Sequence, residues 1–222
     1  MADDPHKIIQ SIIGAQIYED TQGDEGPTDG PLITISRGFG ANGTQIAKLL
    51  SEKLNIRFYD RALLREAAKE AQTDPYLMEQ LDEQVTGVID ELVHSLFVRH
   101  GSKDDFYRAM IKVILTISKS GGGVIVGRGA HLLLPARKAL RVRIDGSLDR
   151  CVERVTRRLG IKKSRAKELI INTNEDRVRY VRRIFKRYST RKTYYDLVIN
   201  SDLYTPEQAV EVIAAAIKAA DI

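Results

Sequence analysis

The chain has 222 residues, 43% apolar and 29% charged, which supplies enough Ile, Leu and Val for a core and excludes a wholly disordered protein. One cysteine, Cys151, excludes an intrachain disulfide framework and a cysteine-cluster zinc site, and no apolar run reaches the roughly 20 residues that cross a bilayer. The net charge of +5 hides an asymmetry: residues 1–30 carry seven acids against Lys7, whereas residues 137–192 carry twenty Lys or Arg against six acids, a block that implies an anionic partner.

Residues 1–30 read as an N-terminal extension. Ile8, Ile9, Ile12 and Ile13 form a short helical stripe, and Glu19–Gly30 is an acidic linker by its Gly, Pro and acid content. The start, MADDPHK, is acidic where a signal peptide is basic, so a cytoplasmic protein is expected. The body, residues 31–222, then alternates. Leu32–Ser36 is a buried strand, followed by a glycine-rich turn and a helix over 44–54. Ile56–Asp60 is a second strand. Residues 61–120 are mostly helical, with a break near Gly101 and Ser102. Gly123–Gly127, Leu140–Asp145 and Asp196–Asn200 complete five strands. An Arg-rich helical region at 150–187 precedes the last of them. Thr205 and Pro206 read as N-cap and first residue of a final helix. Short apolar strands separated by helices predict an α/β fold, with a parallel sheet covered on both faces.

The turn after the first strand, Ser36-Arg37-Gly38-Phe39-Gly40-Ala41-Asn42-Gly43-Thr44-Gln45, carries the chemistry. A helix N-terminus offers unpaired N–H groups and partial positive charge, and glycines let the backbone approach phosphate oxygens. Gly38, Gly40 and Gly43 match the G-x-G-x-x-G dinucleotide fingerprint literally, with Asp60 following as the acid. Gly38 and Gly43 also fit the P-loop frame G-x-x-x-x-G-K-[ST], with Thr44 in the lysine position and Gln45 in the hydroxyl position. By pattern alone the dinucleotide match is better. The 60 or so helical residues between strands two and three favour the other reading, because phosphoryl transfer needs helical insertions that exclude water around the transferred group.

Six segments carry a family resemblance: ITISRGFGANGTQIAKLLSEKL, IRFYDRALL, VIVGRGAHLLLP, ERVTRRLGI, EDRVRYVRRIF and YDLVINSDLYTPEQAVEVI. In this order and spacing, over about Ile33–Ile217, the chain resembles the cytidylate kinase-like branch of the P-loop nucleoside monophosphate kinases. The resemblance implies a five-stranded parallel sheet of order 2-3-1-4-5, an acceptor-binding insertion at 61–120 and a lid at 150–187. It implies ATP as donor, Mg²⁺ and a small nucleotide acceptor. Gly38, Gly40, Asn42, Gly43, Thr44 and Gln45 resemble the loop around the donor phosphate. Asp60, Arg128 and Asp176 correspond to acceptor-binding positions, and Arg154, Arg158 and Arg179 to catalytic lid arginines, expected to be exposed without ligand. Three departures stand out. Thr44 is uncharged where the family often carries Arg, Gln45 replaces a hydroxyl, and Gly129 follows Arg128 where cytidylate kinases have aspartate.

The reading is thus a phosphotransferase acting on a nucleoside monophosphate. A non-catalytic nucleotide-binding module with a degenerate P-loop is the alternative, ahead of a nicotinamide-dependent oxidoreductase. Nucleic acid ranks last as a partner, no membrane is expected, and a homo-oligomer is left open. His6, His94, His100 and His131 have no metal-ligand spacing. His131 is expected at a cap or on the surface rather than in the cleft. Arg128 has a structural alternative, an ion pair with Asp60 or Asp176. Tyr195 is expected in the core, although Tyr188, Tyr194 and Tyr195 also sit among basic residues that would suit RNA stacking.

Overall fold

The computed structural model describes residues 30–85, 105–119, 121–134, 138–185 and 194–222. The N-terminal stripe, most of the acidic linker, the break at Gly101-Ser102, His6, His94, His100 and Tyr188 lie outside the described residues.

The sheet consists of β1 (Leu32–Arg37), β2 (Arg57–Tyr59), β3 (Gly123–Val126), β4 (Leu140–Asp145) and β5 (Leu197–Asn200). All pairings are parallel, in the order β2-β3-β1-β4-β5. That order removes the dinucleotide-fold reading, in which the second strand lies beside the first. Here β1 is flanked by β3 and β4, and β2 is pushed to the edge. β1 and β3 are buried along almost their whole length, as strands covered on both faces must be. β4 alternates instead: Leu140, Val142 and Ile144 are buried, while Arg141, Arg143 and Asp145 are half-buried on its other side.

Helices fill both faces. On one, α1 (Gly43–Leu54), α6 (Leu148–Leu159) and α8 (Pro206–Ala220) cover Ile33, Ile35, Val124, Val126 and Val142. On the other, α2 (Arg61–Thr73), α3 (Pro75–Val85), α4 (Asp105–Ile117) and α5 (Ala130–Leu133) gather around Leu32, Tyr59 and Ile125. The start of α8 has the expected form: Thr205 accepts from the Gln208 N–H, Gln208 accepts from the Thr205 N–H, and Pro206 occupies the first turn.

One helix belongs to both faces. α7 (Lys163–Phe185) has 23 residues, about 35 Å of length. Its Ala166 and Ile170 join the first cluster, and its Val181, Ile184 and Phe185 join the second. The middle of α7 must therefore pass over the sheet's edge between them, and it passes over the carboxyl ends of the strands. In open parallel sheets that end is where ligands bind.

Candidate functional site

A cavity of about 540 Å³ lies under this crossing. Its floor is Ser36 and Arg37 at the end of β1, Val126–Gly129 after β3, and Arg143 on β4. Its roof is the Thr173–Val181 stretch of α7, with Arg61 from α2 and Tyr195 before β5 at the sides. Five arginines line it: Arg37, Arg61, Arg128, Arg143 and Arg177. Arg143 is neutralised by Asp145, with Nε and Nη2 donating to the two carboxylate oxygens at 2.9 and 2.6 Å. Among the described residues the other four have no carboxylate within ion-pair distance. Asp176, the acid in the lining, is turned outward and paired with Arg179. Burial, then the charges of Arg177, Arg61, Arg128 and Arg143, lower the Arg37 pKa to about 9. Burial and the neighbouring Arg143 and Arg61 lower that of Arg177 to about 10. Cations crowded together in a half-dry space, with their own carboxylates elsewhere, make a receptor for an external anion.

Arg128 sits in a backbone turn of uncommon shape. Gly127, Arg128 and Gly129 all have positive φ, at 82°, 54° and 75°. For an arginine this left-handed conformation costs about 1–2 kcal/mol. The guanidinium lies 4.9 Å above the Tyr180 ring, and its buried Nε has no hydrogen-bond partner. The ion pair with Asp60 or Asp176 is not formed. Asp60 instead caps α2, accepting the Leu63 N–H at 2.8 Å, and is not part of the cavity wall.

His131 corrects the expectation of a cap or surface position. It is 3% exposed and lines the cavity. Its Nδ1 is 3.1 Å from the Ser36 hydroxyl and its Nε2 is 3.2 Å from the Tyr195 hydroxyl, on whose ring it stacks. Burial, and next the charges of Arg143 and Arg141, push its pKa down to about 3, so the imidazole is neutral. Tyr195 is buried, as expected of a core residue.

The glycine loop adjoins the cavity. It winds through positive φ at Gly40 (87°) and Asn42 (57°) into α1. Gly40 also has no space for a side chain, since a Cβ there would come within 2.9 Å of the Cys151 Cβ. Asn42 makes no side-chain capping bond, which leaves the first-turn N–H groups of α1 open to an anion. Thr44 and Gln45 are exposed on that turn. The Phe39 N–H donates to Asn174 Oδ1 on α7 at 2.9 Å, and Arg177 donates to the Arg37 carbonyl at 2.8 Å. α7 is thus bolted to the loop.

The predicted lid arginines divide. Arg154 is partly buried rather than exposed. It pairs with Asp202 at 3.2 Å and donates to the Ser201 carbonyl at 2.5 Å and the Gly40 carbonyl at 3.5 Å, so it braces the loop. Arg158 is exposed and stands 5.5 Å from the Phe39 ring centre, which Arg177 also approaches, at 5.7 Å. Arg179 is exposed and paired with Glu175 and Asp176. We expect Arg158→Ala to lower ATP affinity several-fold and Arg179→Ala to leave it unchanged, because exposed helix pairs contribute little. Isothermal titration with ATP checks both, and an unaltered Arg158→Ala protein would place that residue on a solvated face.

The sequence reading passed over Arg37, Arg61, Arg143, Asn174, Arg177 and Tyr180. A usable signal exists for two of them. Ala166, Ile170, Asn174, Arg177, Val181 and Ile184 recur every three or four residues, so two polar side chains stand in an otherwise apolar buried stripe.

Residues 32–203 match the family model described as the cytidylate kinase-like family. The chain belongs to that family. No curated protein matches it. Among solved structures, an uncharacterized protein from Eubacterium ventriosum is similar at 23% identity and TM-score 0.71, over 85% of this chain and 98% of that one. That likeness shows a shared fold over nearly all of the E. ventriosum chain. Shikimate kinases from Bacteroides thetaiotaomicron (16% identity, TM-score 0.45, 85% and 98% coverage) and Aquifex aeolicus (20%, 0.42, 84% and 96%) are more distant. Among the described residues no helix is long and apolar enough to cross a membrane.

Proposed function

We propose that the protein is a phosphotransferase that moves the terminal phosphoryl group of ATP to a nucleoside monophosphate. The observation that carries the reading is the adjacency of two anion-receptive places: the glycine loop opening α1, and the cavity with its four unneutralised guanidinium groups. In this reading an oxygen of the acceptor phosphate attacks the γ-phosphorus. The bond from that phosphorus to the β–γ bridging oxygen breaks, and ADP leaves with the electron pair. Such a reaction is served by positioning and electrostatics. Arg128 and Arg177 hold the acceptor's charge, the α1 N-terminus holds the donor's, and Tyr180 and Val181 on the roof keep water out. Residues 61–120 would carry the acceptor-binding insertion, and residues 150–187 the lid.

Among the described residues no three His, Cys, Asp or Glu side chains converge to hold a metal, and Gln45 offers no hydroxyl. Mg²⁺ would come with the donor nucleotide, held by its phosphate oxygens and water with one or two protein oxygens, and would neutralise phosphate charge there.

A second reading keeps nucleotide binding without transfer. It is favoured by Thr44 in the lysine position and by Asn174, which already occupies the Phe39 N–H. Turnover separates the two: ADP formation from ATP that depends on one of a panel of nucleoside monophosphates supports the kinase, whereas ATP binding with no turnover supports the module. In either case Thr44→Lys should strengthen ATP binding about tenfold, the effect of one added charge-assisted contact. Unchanged affinity in a titration would mean that residues 38–45 do not hold the donor phosphates.

A further inference from the structure

Arg37 ends β1 immediately before the glycine loop. Its backbone stays in the sheet, in register with Ile144 of β4. Its side chain takes a path that two glycines keep clear. At Gly43, the first residue of α1, a Cβ would come within 2.5 Å of the Arg37 Cβ and 2.9 Å of its Cγ. At Gly127, after β3, a Cβ would come within 2.5 Å of the Arg37 Nη1. The side chain is therefore threaded from the start of the donor helix to the cavity floor. Its Nε is buried without a hydrogen-bond partner, and Arg177, Arg61, Arg128 and Arg143 add repulsion, with no carboxylate among the described residues in ion-pair contact with it. Asp145, the nearby acid, is taken by Arg143. Keeping a cation in such a place is unfavourable unless an anion from outside completes it. The loop meanwhile lacks its own cation, since Thr44 is uncharged and exposed.

We propose that Arg37 is the catalytic cation of this chain: its side chain passes Gly43, and its guanidinium, lodged against Gly127, contacts the phosphoryl group passing from the loop to the cavity and supplies the charge that the loop lacks. The inference rests on the phosphotransferase reading for its chemistry, but its anion contact can be measured without turnover.

The probe is inorganic pyrophosphate, titrated into the parent protein, Arg37→Met and Arg37→Gln, with thermal melting as the control for folding. Arg37→Met should remain folded and lose pyrophosphate affinity by about tenfold or more, as expected for a lost charge-assisted contact. In turnover assays it should lower kcat far more than it raises KM for the monophosphate, since the contact strengthens as the phosphoryl group transfers. If Arg37→Met does not fold, Arg37→Gln, which keeps a polar group on a shorter stem, is read by the same criteria. A folded variant with unchanged pyrophosphate affinity overturns the proposal, as does a parent protein that binds no pyrophosphate. Failure of the two ideas is distinguishable. Arg37-dependent pyrophosphate binding with no turnover on any monophosphate sinks the kinase reading alone. Turnover that survives Arg37→Met intact sinks the role of Arg37 alone.

Discussion

An Arg128→Lys protein should fold like the parent and bind nucleoside monophosphate more weakly, by on the order of tenfold or more, because a bidentate charge-assisted contact gives way to a single point-charge one. The substitution keeps the positive charge and the left-handed backbone residue at φ 54°. What it removes is the planar fork that a phosphate can meet with two parallel N–H groups, and the stacking on Tyr180 at 4.9 Å. A purely structural arginine, held by its stack, would show the opposite pattern: a lower melting temperature and unaltered binding. Melting curves and isothermal titration on the same preparation decide between them. Monophosphate affinity equal to the parent's would move the acceptor away from the Gly127–Gly129 turn.

Acid should destabilise the protein through His131. The folded imidazole is neutral, with its pKa at about 3, while an unfolded histidine titrates near 6.5. Between those values the unfolded chain takes up the proton and the folded chain does not. The stabilisation is therefore fully present above about pH 6.5 and is lost as the pH falls towards 3. The whole interval is worth a few kcal/mol, at about 1.4 kcal/mol per pH unit. His131→Gln keeps a donor and an acceptor for Ser36 and Tyr195 but does not titrate. Its urea-unfolding stability should fall less steeply across that interval than the parent's. Parallel acid limbs for the two proteins would show that His131 is not held neutral.

The fold was largely legible because its signals are local. β1 and β3 are nearly continuous apolar runs, and all five strands lie within a residue or so of their expected positions. Thr205, Pro206 and Gln208 likewise announce their helix start within four residues. The strand order is another matter. The glycine pattern fits two folds, and what separates them is β1 pairing with β3 rather than β2, a contact that no local pattern carries. Only the family resemblance supplied it.

The site was less legible for the same reason. Its arginines arrive from β1, α2, the turn after β3, β4 and α7, and no short spacing contains them. His131 is buried by Ser36 and Tyr195, which lie 95 and 64 residues away. On α7 the family resemblance points to Asp176 and Arg179. Two residues correspond to about 200° of helix, so the residue facing the cavity is Arg177 while Arg179 faces solvent. The apolar stripe of the helix, read together with its polar interruptions, points to Arg177 as the arginine that faces the cavity.

In the proposed reaction two adjacent sites act together, with donor phosphates at the α1 N-terminus and the acceptor among Arg37, Arg128 and Arg177. Simultaneous occupancy tests it most directly. The protein, first saturated with ATP under conditions that block turnover, is titrated with the monophosphate that supports the highest activity. One monophosphate should bind per ATP-loaded protein, with affinity that ATP leaves unchanged or strengthens. Mutually exclusive binding, in which ATP displaces the monophosphate from a single site, would contradict it.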